Sequence, residues 1–278
     1  MINALSLVGR QRAEFQHASK LRTWSLRLQL AIGILGICSV VVTNDVWLYI
    51  LAVSGLASAA LWLWLANETI ETRAHAERIR RATMIAGGLG VVFDSVELLE
   101  LANDGRASQA QADKLHDANY FSSARSVGVL RFLEMLEESA IWTTNLAKVA
   151  ARETWGIFGI SIIVVVFIVF CGLALFPIRQ ELIALRAFFA ISAVILSTDF
   201  LGTAVSYDRA RRETQRTIDR VQRLKETGAS IEAAILIFAE YNAAVEGAPV
   251  FSNGLYPRHS KSLNAEYDKY FKTTEEVG

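Results

Sequence analysis

The sequence predicts an all-α membrane protein with four transmembrane helices in two hairpins, a cytoplasmic helical domain between the hairpins and a helical C-terminal tail. Three observations predict it. Four long stretches are almost free of charge, the arginines gather at one end of each stretch, and the polar segments between them have helical spacing and little proline. The bulk composition agrees with a mixture of spans and water-soluble mass: 53% of the 278 residues are hydrophobic, and the mean hydropathy is +0.31.

Crossing about 30 Å of hydrocarbon takes roughly 20 helical residues, with about 17 as the lower limit. The windows that meet this are Leu28 to Asn44, Val46 to Asn67, Thr154 to Ile178 and Leu182 to Val205. Arg186 and Asp199 interrupt the fourth, but the stretch between them is apolar or small, and an arginine near a span end can reach the interface with its head group. Residues 1–27 are mostly polar, and no small-residue cleavage pattern follows the first apolar run, so that run reads as a retained span.

Lys and Arg are retained on the cytoplasmic side. The segment 1–27 holds Arg10, Arg12, Lys20, Arg22 and Arg27, whereas the turn Thr43-Asn44-Asp45 has no basic residue. Arg73, Arg78, Arg80 and Arg81 follow the second window, and a run from Arg209 to Lys225 follows the fourth. Both termini are therefore expected in the cytoplasm. The plan divides the chain into an N-terminal helix (1–27), hairpin 1 (28–67), a helical domain (68–153), hairpin 2 (154–205) and a helical tail (206–278). Trp24, Trp62, Trp64 and Trp155 fall near the expected inner boundary and Trp47 near the outer one, where amphipathic indoles prefer to sit.

In the helical domain, one helix is expected from Asn67 through Ala82, loosened or broken by Gly87, Gly88 and Gly90, and a second from Phe93 to Leu101. From Ser122 onward, Val129, Leu133, Leu136, Ala140, Thr143, Ala147 and Ala150 recur at spacings of four and three, the seam of a packed or coiled helix. That helix runs on into the third window. In the tail, helices are expected from Tyr207 to Glu226, from Ile231 to Val245 and from Ser262 to Phe271, with an irregular stretch around Pro249 and Pro257.

Motifs for chemistry are sparse. The four histidines are scattered, no zinc or hydrolytic centre is indicated, and no nucleophile, base and orienting group share a recognisable spacing. The sequence therefore predicts no catalytic residue, no metal and no cofactor. Lys+Arg and Asp+Glu balance at 28 each, so no global charge draws the chain to nucleic acid. Ala86-Gly87-Gly88-Leu89-Gly90 follows a helix and lacks the Lys-Ser/Thr of a phosphate loop. Glu134, Glu137 and Glu138 read as a solvated helix face. Cys38 and Cys171 lie in apolar runs and behave as small hydrophobes.

Two features invite a mechanism. Asp199, an ionisable group at or inside a span, is a candidate pore-lining or gating residue. Arg78, Arg80, Arg81, Arg209, Arg211, Arg212 and Arg216 serve as topogenic charges in the plain reading. In the sharper one they are a cytoplasmic receptor for a phosphorylated small ligand, since guanidinium groups grip phosphate bidentately.

The opening Arg10-Gln11-Arg12 with Phe15, Ala18 and Lys20, the stretch from Tyr120-Phe121 through Gly128 to Glu138-Ser139-Ala140 and Trp142, and the tail Ala248-Pro249, Leu255-Tyr256 and Leu263-Asn264 together resemble the SMODS-associated four-transmembrane effector family. Tyr267 stands where that pattern would carry tryptophan. The resemblance implies a pore-forming effector in the bacterial inner membrane, in anti-phage defence of the CBASS type, activated by a cyclic oligonucleotide from a partner nucleotidyltransferase. It implies no catalytic residues. Four spans seldom enclose a path alone, so a pore calls for a homo-oligomer in the lipid bilayer, which the seam from Val129 to Ala150 also suggests. The alternatives are a constitutive channel or small-solute transporter and a membrane scaffold that binds a protein partner.

Overall fold

The computed structural model describes residues 7–42, 44–117, 120–175 and 200–275. The regular structure among them is helical, without a strand. In chain order the helices are α1 (Val8–Val41), α2 (Asp45–Leu89), α3 (Ser95–Asn103), α4 (Gln109–Lys114), α5 (Val129–Leu175), α6 (Phe200–Thr227), α7 (Ile231–Glu246) and α8 (Leu255–Glu275). They belong to two compact units. One comprises Met1–Lys20, Thr69–Ala150 and Ser206–Gly278, and the other Leu21–Glu68 and Ala151–Val205.

The second unit is built of apolar helix with its large side chains outward. Tyr49, Leu56, Leu63 and Trp64 of α2 and Ile160, Ile163 and Phe167 of α5 are all exposed, Leu56 at 74%. A water-soluble surface rarely carries so much contiguous apolar area. Among the described residues, α2 is the one helix long and apolar enough to cross a membrane, and none of its apolar window is buried. Most of the fourth predicted window lies outside the described residues.

The first unit has a packed core. Met84 of α2, Phe132, Leu133, Leu136, Ala140 and Ile141 of α5, Ile218 and Val221 of α6, and Ala234, Ile237, Phe238, Tyr241 and Val245 of α7 form one cluster. Phe132 and Phe238 meet edge to face at 5.1 Å between ring centres. The heptad seam of α5 is spent here, since Leu133, Leu136, Ala140 and Ala147 are fully buried within the same chain. Burial of the seam is legible in its spacing, and its partners within the chain are α2, α6 and α7.

The glycines of α2 do not break it. The helix runs through Gly87 and Gly88 to Leu89, and Gly90 ends it with φ +74, the left-handed conformation that glycine adopts without steric cost. Gly88 serves close approach instead. A Cβ there would lie 2.7 Å from Phe132 Cα, and the Gly88 carbonyl accepts the Gly128 N–H at 2.8 Å, just where α5 begins. The chain from Tyr120 to Gly128 is irregular, so α5 starts later than Ser122. The last helix starts earlier than the sequence suggests, because Pro257 sits in its first turn, where a missing N–H costs nothing.

α1 is fastened by its own charges. Arg10 donates to Gly105 O (3.3 Å) and Arg12 to Leu115 O (2.9 Å). Glu14, fully buried, accepts the Ala107 N–H at 2.8 Å.

Candidate functional site

Three of the predicted arginines lie on α2, and helical geometry gives them three different fates. Arg80 shares a face with Ala76, Ile79, Thr83 and Met84 and is 7% exposed. Its guanidinium donates to Tyr241 Oη (2.8 Å) and Asn242 Oδ1 (2.9 Å), pairs with Glu77 at 2.8 Å, and lies 4.9 Å from the Tyr241 ring centre. Burial works against its charge, but Tyr241 and Glu77 outweigh that, and its pKa is raised. Arg80 thus has its acceptors inside the protein and belongs to the core, not to a phosphate receptor. Arg81 pairs with Glu246 at the end of α7. Arg78 is exposed and has no ion-pair partner among the described residues.

Arg73, a turn earlier, donates to the Val245 and Ala248 carbonyls, a cation at the negative end of the α7 dipole. Burial lowers its pKa, opposed by Glu77.

On α6, Arg209, Arg212, Arg216, Arg220 and Arg223 follow one another at spacings of three and four and so line one face. Arg216 pairs with Glu213 (2.7 Å) and Arg220 with Glu240 of α7. Arg209 and Arg212 are exposed and have no described partner. Arg211 points elsewhere and pairs with Asp208 at 3.6 Å. No described hydrogen bond or ion pair joins the α2 arginines to those of α6. Asp199 lies outside the described residues.

The three glutamates of α5 are not a solvated face. Glu137 and Glu138 are buried. Glu137 accepts from Lys225 of α6 (2.6 Å) and from the Tyr270 hydroxyl of α8. Glu138 accepts from the Ser122 N–H and hydroxyl (both 2.9 Å) and from the Tyr267 hydroxyl (3.0 Å). Glu134 accepts from Ser123 and Arg125. These carboxylates anchor the 120–128 segment, α6 and α8 to α5, and burial beside them pushes Tyr267 up to about 12 and Tyr270 further in the same direction.

A cleft of about 450 Å³ opens beside these anchors, within the usual range for small-molecule sites. Arg125, Ser126, Val127, Gly128, Val129 and Leu130 line one side, and Lys225, Gly228 and Ala229 the other. It therefore joins the start of α5 to the end of α6, with two cations among its walls. Sequence reasoning missed it. Arg125 is an isolated basic residue, Lys225 is only the last of the basic run on α6, a hundred positions lie between them, and the carboxylates that position them read as surface. The described residues contain no group of three or more His, Cys, Asp or Glu placed to hold a metal ion.

Comparison with protein-family models, with curated proteins and with solved structures finds no match.

Proposed function

We propose that the chain is a multi-pass effector of the bacterial inner membrane. In this reading four spans in two hairpins carry a cytoplasmic helical unit, and an anionic ligand of the cyclic-oligonucleotide class, made by a partner nucleotidyltransferase, switches homo-oligomers to permeabilise the bilayer. The observation that carries the reading is the continuity of α2 and α5. Each is a single unbroken helix, with exposed apolar side chains over one part and a packed core position over the other. A ligand that favours one packing of the core thereby biases the same helices within the bilayer.

The cleft between the start of α5 and the end of α6 is the receptor in this proposal. Arg125 and Lys225 stand in its wall, each held by a carboxylate of α5 that a phosphate would have to displace or share, and Val127, Leu130 and Ala229 supply apolar wall for a base. Of the seven arginines, Arg80, Arg81, Arg211 and Arg216 already hold acceptors in the chain, which leaves Arg78, Arg209 and Arg212 for supporting roles.

The test is dye release from liposomes holding the purified protein, with and without cyclic di- and trinucleotides. Release that depends on one nucleotide, and that falls about tenfold in apparent affinity with Lys225→Gln, supports the proposal. Release that ignores every nucleotide, or none at all, overturns it.

A further inference from the structure

Helix α8 is fastened to the same glutamates that hold the walls of the cleft. Its first half is anchored by apolar burial, through Leu255 and Leu263, each 1% exposed. From Asn264 to Tyr270 no aliphatic side chain larger than alanine follows, and the attachments there are polar or aromatic. Tyr267 stacks on Trp142 with 5.0 Å between ring centres and donates to Glu138. Tyr270 donates to Glu137 Oε1 at 2.5 Å and accepts from Gln222 of α6 at 2.6 Å. Glu266 pairs with Lys148 at the surface, at 3.0 Å. The other oxygen of Glu137 holds Lys225 of the cleft wall. One carboxylate, its side chain 4% exposed, therefore joins the cleft to the helix. Glu138 repeats the arrangement, shared between Tyr267 and Ser122 of the segment that leads into the opposite wall.

We infer that α8 is a strap released by the anion that enters the cleft: a phosphate that takes Lys225 leaves Glu137 buried without its cation, and the second half of α8 lifts to let water reach it. The inference rests on the receptor reading of the cleft given above. A buried carboxylate stripped of its cation is strongly unfavourable. Its easiest route to solvent is the side closed by contacts that water can replace, the hydroxyls of Tyr267 and Tyr270. The other side is the core, where Phe132, Leu136, Ile218, Val221, Phe238 and Tyr241 pack on one another and opening would expose apolar area instead. Lifting α8 past Leu263 exposes no buried aliphatic side chain of the stretch 264–270, so the docked and lifted arrangements differ mainly in hydrogen bonds and one aromatic stack. Ligand affinity can bias such a difference.

The experiment is amide hydrogen exchange on the full chain reconstituted in lipid, read over 264–275, with 231–246 of α7 as the internal control. Cyclic di-AMP, cyclic di-GMP and cyclic tri-AMP are the probes. A probe that releases dye is expected to speed exchange over 264–275 by about tenfold and to leave 231–246 unchanged. Without any probe, Lys225→Gln is expected to give the same rise, since it too strips Glu137 of its cation. Glu137→Gln in the same chain is expected to reverse it, because a neutral amide needs no cation yet still accepts from Tyr270. A short bis-maleimide bridge between Lys148→Cys and Glu266→Cys, in a chain with Cys38→Ser and Cys171→Ser, is expected to block dye release. Exchange that stays flat with a releasing probe bound, a bridged chain that still releases dye, or a double variant as loose as Lys225→Gln alone overturns the strap. If no probe releases dye, the effector reading fails by itself, and the two variants decide the strap: a rise over 264–275 in Lys225→Gln that Glu137→Gln reverses upholds it, and no rise sinks it.

Discussion

Replacing Arg80 by methionine keeps most of the side-chain volume and deletes the charge. The structure then holds Glu77, 2% exposed, as a buried carboxylate without its cation. Asn242 Oδ1 loses its donor, while Tyr241 retains a hydroxyl partner in Thr143 at 3.1 Å. Breaking a buried ion pair from one side costs about 3–5 kcal/mol. For a domain of roughly 150–250 residues each kcal/mol shifts the melting temperature by about 2–4 °C, so a fall of about 6–20 °C is expected. Thermal unfolding in detergent, followed by circular dichroism, is the assay. The double variant Glu77→Leu with Arg80→Met removes both charges and should recover much of the loss, because a buried pair is worth little over well-packed apolar residues. An Arg80→Met melting point within about 2 °C of wild type would refute the assignment of Arg80 to the core, as would a double variant no more stable than the single. Nucleotide affinity lost at unchanged stability would instead return Arg80 to the receptor.

Acid should destabilise the chain through His75. Burial lowers its pKa below the ordinary 6.5, so the unfolded chain binds the proton first; stability is complete above about 6.5 and falls as pH drops toward the folded value, and His75→Gln should flatten that slope in unfolding measured across the window. Alkali should act through α8. Tyr267 is raised to about 12 by burial first and by Glu138, so its contribution is complete below about pH 10 and is lost as pH rises toward 12, and Tyr267→Phe should make that loss shallower when stability is followed with pH. Gly88→Ala puts a methyl group 2.7 Å from Phe132 Cα, a backbone atom that cannot yield; about 1–3 kcal/mol of destabilisation is expected by denaturant titration.

The helices were legible where their spacing was strong. The run from Val129 announced its buried side through Leu133, Leu136 and Ala140, and the chain ends of α6 and α7 fall at Gly228 and Ser230, a left-handed glycine and an N-cap whose hydroxyl accepts the Ala233 N–H. What spacing could not give was the partner. A seam that satisfies an intermolecular coiled coil satisfies an intramolecular core equally well. The arginines show the same limit. Arg78, Arg80 and Arg81 are alike in composition, and Arg80 is separated from the others only by its apolar companions at Ala76, Ile79, Thr83 and Met84, with acceptors on α7 that no local pattern reveals. Glu137 and Glu138 misled because two adjacent carboxylates usually face water; here the tyrosines of α8 and Lys225 of α6 supply donors from far along the chain.

The bond from Arg80 to Tyr241 spans 161 positions of sequence. During synthesis at about 5–20 residues per second, roughly 8 to 30 seconds pass between the emergence of the guanidinium and that of the phenol. Through most of that interval the charge of Arg80 has no interior to enter, since the core of its unit gains α6 and then α7 only at its end. A chain that stops short of α6 and α7 cannot build this unit, whatever its apolar helices do, so a half-made copy is barred from the native packing until both helices have been made.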